Sequence, residues 1–203
     1  MNPAILMTAS RLIFAPLFAY FFLRAVSFGV YSPDKGFFLA AVLCAVLIEL
    51  SDAFDGIIAR SRKEVTSFGK IFDPICDSLS RQTIFLSFMV AGIIPLWMFL
   101  VFLYRDGIMS FVRIMAAKEG LVLAARNSGK IKAVFQAIAS FFVLGVMSAH
   151  IFGFADVPHL LFGKHPAYWI ILFPTIFTFL TLFDYLLPNW HILKNSMTPV
   201  IDK

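Results

Sequence analysis

The chain has 203 residues, of which 60% are hydrophobic and only 14% are charged, and its formal net charge is +5. A soluble domain carries roughly 25% charged residues, so the composition excludes an ordinary soluble enzyme and favours a membrane protein. The basic residues are dispersed among apolar segments, which fits membrane topology and anionic lipid head groups better than a nucleic-acid surface. Cys44 and Cys76 lie in or beside apolar segments and indicate neither a disulfide nor a zinc site.

Six apolar segments follow one another along the chain, each close to the length of about 20 residues that a membrane-crossing helix needs. We therefore predict an all-α polytopic membrane protein with six transmembrane helices. A short N-terminal interfacial helix, residues 1–11, precedes the first of them. The predicted spans are residues 12–30, 37–54, 73–94, 96–117, 131–154 and 167–187. They leave no room for a separate soluble domain, so residues 1–203 form a single membrane domain.

An even number of spans places both termini on the same side of the membrane. That side also receives residues 60–70 and 118–132, which carry most of the lysines and arginines outside the spans. Cytoplasmic segments of membrane proteins are enriched in these residues. The sequence therefore predicts a protein of the cytoplasmic (inner) membrane with both termini in the cytoplasm.

Four aspartates stand close together in this otherwise apolar chain, at the cytoplasmic exit of the second predicted span: Asp52, Asp55, Asp73 and Asp77. The first pair is spaced i,i+3 and the second i,i+4, so on helices each pair occupies one face. Two such helices can turn their acidic faces toward each other. Four clustered carboxylates repel one another and are costly to desolvate, so the cluster predicts a bound cation.

A site made only of carboxylates favours a hard divalent ion, Mg²⁺ or Mn²⁺, and four of them could hold two ions. Two such ions suit displacement at a diphosphate. Gly56, Ala59 and Gly69 would let a ligand approach the helix backbones, and Arg60 could pair with a phosphate. The residues thus predict a metal-dependent enzyme acting on a diphosphate at the membrane surface. A cation transporter is the alternative, although its acids would lie nearer the bilayer midplane and on several helices.

Eight residues match the pattern D-x2-D-G-x2-A-R-x8-G-x3-D-x3-D without gap or substitution: Asp52, Asp55, Gly56, Ala59, Arg60, Gly69, Asp73 and Asp77. This stretch resembles the CDP-alcohol phosphatidyltransferase family. The resemblance implies a six-helix membrane fold, a homodimer and transfer of a phosphatidyl group from CDP-diacylglycerol to an alcohol, releasing CMP. It implies that the four aspartates bind the metal ions and that Asp77 is also the general base. Gly56, Ala59, Gly69 and Arg60 would bind the nucleotide and its diphosphate.

Other segments are similar to the bacterial phosphatidylglycerophosphate synthases within that family. These are residues 2–11 with Thr8 and Arg11, residues 105–113, and residues 129–136. The similarity implies glycerol 3-phosphate as the acceptor. The chain departs from that group at three positions. Ser78 stands where the group usually has lysine, with Arg81 one turn later. Asp106 replaces glutamate, and Ala133 replaces threonine. The alternatives are another acceptor (inositol phosphate, serine or choline) or CDP-choline as the donor.

A phosphorylated acceptor requires cations near the aspartates. Arginines inside a spanning helix are costly unless they face a polar cavity, so we expect such a cavity on the fourth span. The candidate acceptor-binding residues are Arg105, Arg113, Arg126, Lys130 and Lys132. The sequence leaves open the roles of Glu49, Asp184 and residues 156–166.

Overall fold

The computed structural model describes residues 3–26, 34–62, 67–118, 127–154 and 166–197. Within these ranges the side chains of residues 3–5, 53, 55–62, 67–68, 70–71, 118, 191–193 and 195–197 are outside the description. All secondary structure in the described ranges is helical. The six helices are α1 (Pro3–Ala25), α2 (Lys35–Arg62), α3 (Ser67–Val90), α4 (Leu96–Lys118), α5 (Asn127–Ile151) and α6 (Pro166–Met197).

Three segments are long and apolar enough to cross a membrane: Leu6–Ala25, Asn127–Ile151 and Pro166–Trp190. The described parts of α2, α3 and α4 carry most of the acidic and several of the basic residues singled out above. The all-α prediction is confirmed, with six helices as expected. A separate interfacial helix before the first span is not observed, because Pro3–Ala25 is one continuous helix.

The start of α3 differs from the prediction. We expected it near Asp73, with Pro74 in the first turn, whereas α3 begins at Ser67 and includes Pro74. Proline lacks the N–H that would bond to the carbonyl of residue 70, and helical turns on both sides continue past this single missing bond. Asp73 and Asp77 therefore lie on an uninterrupted helix, one turn apart.

The helices form two groups of three. α1 packs against α2 and α3, and α6 packs against α4 and α5. The groups are joined mainly where α3 contacts α4, with smaller contacts of α5 with α2 and α3. Phenylalanines fill the core of the first group and its junction with α4. The ring centroids of Phe85 and Phe102 are 4.4 Å apart, and those of Phe22 and Phe88 are 5.3 Å apart. Lipid is as apolar as phenylalanine, so close packing rather than escape from water stabilises such a core in a bilayer.

Two glycines end helices at the side away from the aspartates. Gly92 follows α3 and Gly153 follows α5, each with φ 74°. This left-handed conformation suits glycine, and it closes each helix with paired backbone bonds. Ile93 N–H donates to the Phe88 carbonyl at 2.9 Å, for example. The two chain reversals leave the other ends of α3 and α5 to build the site.

Candidate active site

One cavity of about 280 Å³ lies between the two helix groups. Three of the four predicted metal-binding residues line it: Asp52 from α2, and Asp73 and Asp77 from α3. We call these three residues the acidic wall. Asp55 lies on α2 three residues beyond Asp52, and its side chain is outside the described part of the chain.

Helix α1 supplies partners to the acidic wall. Thr8 Oγ1 donates to Asp73 Oδ1 at 2.8 Å, and Arg11 Nη1 donates to Asp52 Oδ1 at 2.9 Å. The same Arg11 nitrogen lies 3.9 Å from Asp77 Oδ1, so the carboxylates of α2 and α3 are close neighbours. Arg11 is only 1% exposed. Its charge offsets repulsion between carboxylates that would otherwise push α2 and α3 apart.

Arg81 is a second buried arginine at the acidic wall. Its Nε donates to Asp77 Oδ1 at 2.8 Å, and its Nη1 donates to the Ala133 carbonyl on α5 at 2.8 Å. Glu49 Oε1 lies 3.6 Å from Arg81 Nη1. Glu49, whose role the sequence left open, therefore pairs with Arg81. Arg81 in turn holds Asp77 in place.

The opposite side of the cavity is basic. Arg105 and Arg113 of α4 line it together with Lys130 and Lys132 of α5, and we call these four residues the basic wall. All four were candidates for acceptor binding. The fifth candidate, Arg126, lies outside the described residues.

Asp106 links two members of the basic wall. Its Oδ1 accepts from Lys132 Nζ at 2.7 Å and from Arg105 Nη1 at 2.9 Å. Its Oδ2 accepts from Ser78 Oγ on α3 at 2.9 Å. All three charged groups are buried, and buried ions are stable when paired and hydrogen-bonded in this way. The departures at residues 78 and 106 therefore meet in one contact, which ties α3 to α4.

The structure describes least about the residues predicted to bind the nucleotide. Gly56, Ala59 and Arg60 lie on α2 within residues 55–62, for which only the backbone is described, and Gly69 is buried in α3. The roles assigned to these residues, to the aspartates and to the cations remain predictions.

The donor chemistry of the acidic wall fits a hard divalent ion, because its members are carboxylates that face one cavity. As they stand, the described side chains include no group of three or more His, Cys, Asp or Glu residues that could hold a metal ion. The side chain of Asp55 is not among them.

Sequence reasoning missed three residues of the site. Thr8 and Arg11 belonged to the N-terminal segment used for the resemblance, which was the available signal, although no contact with the aspartates was inferred. Tyr185 of α6 also lines the cavity. No local pattern marks Tyr185, because its position depends on how α6 packs against α4.

The described helices, three of them apolar enough to cross a membrane, enclose one cavity lined by both acidic and basic residues, and sequence comparison identifies the class of protein to which this arrangement belongs. The family model for CDP-alcohol phosphatidyltransferase matches residues 1–180. The chain belongs to the CDP-alcohol phosphatidyltransferase family, and it is an enzyme of that class.

Named relatives specify the branch that the chain resembles. It is 31% identical over 156 residues to the CDP-diacylglycerol--glycerol-3-phosphate 3-phosphatidyltransferase of Treponema pallidum, covering 77% of this chain and 72% of that protein. It is 32% identical over 161 residues to the Bacillus subtilis protein of the same name, covering 78% and 77%. A probable phosphatidylglycerophosphate synthase of Mycobacterium tuberculosis is 30% identical over 138 residues, covering 68% and 63%.

Proposed function

We propose that this protein transfers a phosphatidyl group from CDP-diacylglycerol to glycerol 3-phosphate, giving phosphatidylglycerophosphate and CMP. One observation carries the proposal: the acidic wall and the basic wall line the same cavity. A reaction that joins a diphosphate to a phosphorylated alcohol needs both kinds of surface. The names of the relatives from Treponema pallidum and Bacillus subtilis specify the same reaction for those proteins.

The reaction makes one bond and breaks one. The acceptor's hydroxyl oxygen bonds to the phosphorus that carries diacylglycerol, and the bond from that phosphorus to the CMP oxygen breaks. CMP leaves with the electron pair, and Asp77 accepts the proton of the hydroxyl. Arg81 and Arg11 both approach Oδ1 of Asp77, so we assign proton uptake to Oδ2.

Asp52, Asp55, Asp73 and Asp77 would hold one or two Mg²⁺ or Mn²⁺ ions. The ions would neutralise the diphosphate and stabilise the leaving oxygen. Thr8 and Arg11 orient Asp73 and Asp52 toward the cavity, a supporting role that commonly sets metal affinity.

The basic wall favours a phosphorylated acceptor. Four cations line this side of the cavity, and two of them, Arg105 and Lys132, pair with Asp106. A dianionic phosphate could pair with the other two, Arg113 and Lys130, whereas serine or choline would bring no phosphate oxygens to them.

We propose further that all six helices cross the cytoplasmic membrane, with both termini and the cavity on the cytoplasmic side. The helices have 23 to 32 residues, and at 1.5 Å per residue each exceeds the hydrocarbon thickness of about 30 Å. Lys130, Lys132 and Arg113 lie on the cavity side, as the positive-inside rule requires. The homodimer implied by the family resemblance stays a prediction.

CMP release by the purified protein in detergent tests the function. The assay contains CDP-diacylglycerol and Mg²⁺, with glycerol 3-phosphate, inositol phosphate, serine or choline added separately. We expect release only with glycerol 3-phosphate, and loss of activity on adding EDTA that excess Mg²⁺ or Mn²⁺ restores. Release with a different alcohol would keep the chemistry and overturn the acceptor. No release with any of them, in protein that binds Mg²⁺, would favour the transport alternative.

A further inference from the structure

Tyr185 of α6 is a polar residue of the cavity to which neither the family signature nor the proposed chemistry assigns a role. It is 2% exposed and lines the cavity. Its ring packs with Met109 and Val112 of α4, which explains an aromatic side chain at this position. Packing alone does not explain the hydroxyl group, because phenylalanine would fill the same space.

The Tyr185 hydroxyl is buried and has no hydrogen-bond partner among the described residues. Buried tyrosine hydroxyls are normally paired, because leaving such a group without a partner destabilises the folded protein. Arg105 Nε, on the same cavity, is buried and has no partner in the described structure either. Two unpaired donors at one cavity indicate that the cavity takes a ligand rich in acceptor oxygens.

The surroundings of Tyr185 specify the charge of that ligand. Ser128 Oγ donates to Asp184 Oδ2 at 2.6 Å, which fixes the α6 segment next to Tyr185 against the first turn of α5. Lys130 and Lys132 lie on the same helix as Ser128 and line the cavity. A neutral hydrogen-bond donor beside these cations and Arg105 is suited to a phosphate group, whose oxygens can accept from all of them.

We propose that Tyr185 donates a hydrogen bond to the phosphate group of the acceptor and thereby makes α6 part of the acceptor pocket. The proposal rests on the proposed function and adds a specificity-determining residue to it. The hydroxyl itself has almost no exposed surface, so the bond to a ligand requires a small adjustment of the side chain. Phosphorylated alcohols gain this bond, and alcohols without a phosphate group do not.

The test compares wild type with Tyr185→Phe, and it uses Tyr104→Phe as the matched control because Tyr104 is exposed on α4. We expect Tyr185→Phe to raise the apparent KM for glycerol 3-phosphate about tenfold, with kcat and the KM for CDP-diacylglycerol unchanged. The unliganded variant should unfold at the same temperature as wild type or higher, because it lacks the unpaired hydroxyl. Tyr104→Phe should match wild type in every measurement.

A second measurement does not depend on turnover. Glycerol 3-phosphate should raise the unfolding temperature of wild type and of Tyr104→Phe, and raise that of Tyr185→Phe less at the same concentration. An unchanged KM together with an unchanged thermal shift in Tyr185→Phe would overturn the role of Tyr185 while leaving the proposed function intact. A lower unfolding temperature without ligand, with equal rises in both KM values, would also overturn it, since that pattern indicates a structural role.

If wild type instead uses another phosphorylated alcohol, the proposed acceptor fails. The role of Tyr185 is then decided by the KM for that alcohol, with the same expected increase. If wild type uses only an alcohol without a phosphate group, both proposals fail.

Discussion

Each side of the cavity brings like charges close together, and the two sides compensate this repulsion in different ways. On the acidic wall, each described carboxylate accepts a hydrogen bond from a different side chain: Asp52 from Arg11, Asp73 from Thr8, and Asp77 from Arg81. The two arginines also lie between carboxylates, because Arg11 is 3.9 Å from Asp77 and Arg81 is 4.0 Å from Asp52. On the basic wall, Arg105 and Lys132 share the single carboxylate of Asp106.

This difference indicates that the acids are held in a fixed position by protein contacts and that the cations are available to bind a ligand. The acids are fixed one by one from α1 and from within α3, as expected for residues that must keep a set geometry for metal ions and proton transfer. On the basic wall, two cations share one carboxylate, and Arg105 Nε is buried without a hydrogen-bond partner in the described structure, as expected for a pocket completed by an anion. Four substitutions test this contrast.

Asp77→Asn tests the residue of the acidic wall that we propose as the general base. Asp77→Asn keeps the size of the side chain and removes its ability to take a proton, so we expect kcat to fall about 10²- to 10⁴-fold in the CMP-release assay. Asp34→Asn is the control: Asp34 caps the start of α2 by accepting from Gly36 N–H, which asparagine also does. Near-normal activity of a folded Asp77→Asn protein would refute the assigned base.

Removing the shared carboxylate breaks the basic wall. Asp106→Ala leaves Arg105 and Lys132 buried without their counter-charge, which we expect to destabilise the fold by about 3–5 kcal/mol. The measurement is thermal unfolding in detergent. Adding Lys132→Met to Asp106→Ala should recover part of the loss, because one of the unpaired charges is then gone. A double variant that is less stable than Asp106→Ala would show that the pair is not the main determinant of stability here.

Arg113 tests whether the basic wall serves the acceptor. Arg113→Ala should raise the apparent KM for glycerol 3-phosphate about tenfold and change that for CDP-diacylglycerol less, since the lost charge faces the phosphate of the acceptor. Arg24→Ala is the control at the other end of the bundle, where Arg24 lies over the Phe37 ring. Equal increases in both KM values would remove the reason for placing Arg113 in an acceptor pocket.

Thr8 tests the one-to-one support of the acidic wall. Thr8→Val keeps the shape and removes the bond to Asp73, so more Mg²⁺ should be needed for half-maximal activity, by about tenfold. Thr83→Val is a matched control on α3, where the hydroxyl donates only to the helix carbonyl of Leu79. An unchanged Mg²⁺ requirement for Thr8→Val would mean that Asp73 is positioned without Thr8.

The sequence predicted the helical class, the number of helices and, as candidate site residues, every member of both walls, because these depend on local patterns. Apolar segment length predicts helices in lipid, and fixed spacing places Asp73 and Asp77 one turn apart. The start of α3 was wrong because the rule that places proline in a first turn ignores how readily a helix continues around one missing bond. Boundaries depend on such small energy differences, which a pattern does not resolve.

Contacts between distant helices could not be predicted. The bonds from Arg81 to the Ala133 carbonyl and from Ser78 to Asp106 join residues far apart in the chain, and they depend on helix packing. The sequence did indicate that Arg81 stands one turn after a missing lysine. It could not indicate that Arg81 pairs with Glu49 and Asp77. Nor could it indicate that Ser78, which stands at the position of that lysine, donates a hydrogen bond to Asp106.

The burial of Arg11 in α1 has a consequence for how the protein is made. α1 is synthesised first, and its apolar stretch, Leu6–Ala25, then carries a charge whose described carboxylate partners, Asp52 and Asp77, belong to helices not yet made. A cation without a partner makes insertion of an apolar helix into lipid costly. We therefore expect α1 to reach its final position only after α2 and α3 have been synthesised, so that the packing of α1 and the acidic wall would be completed in the same step of biogenesis.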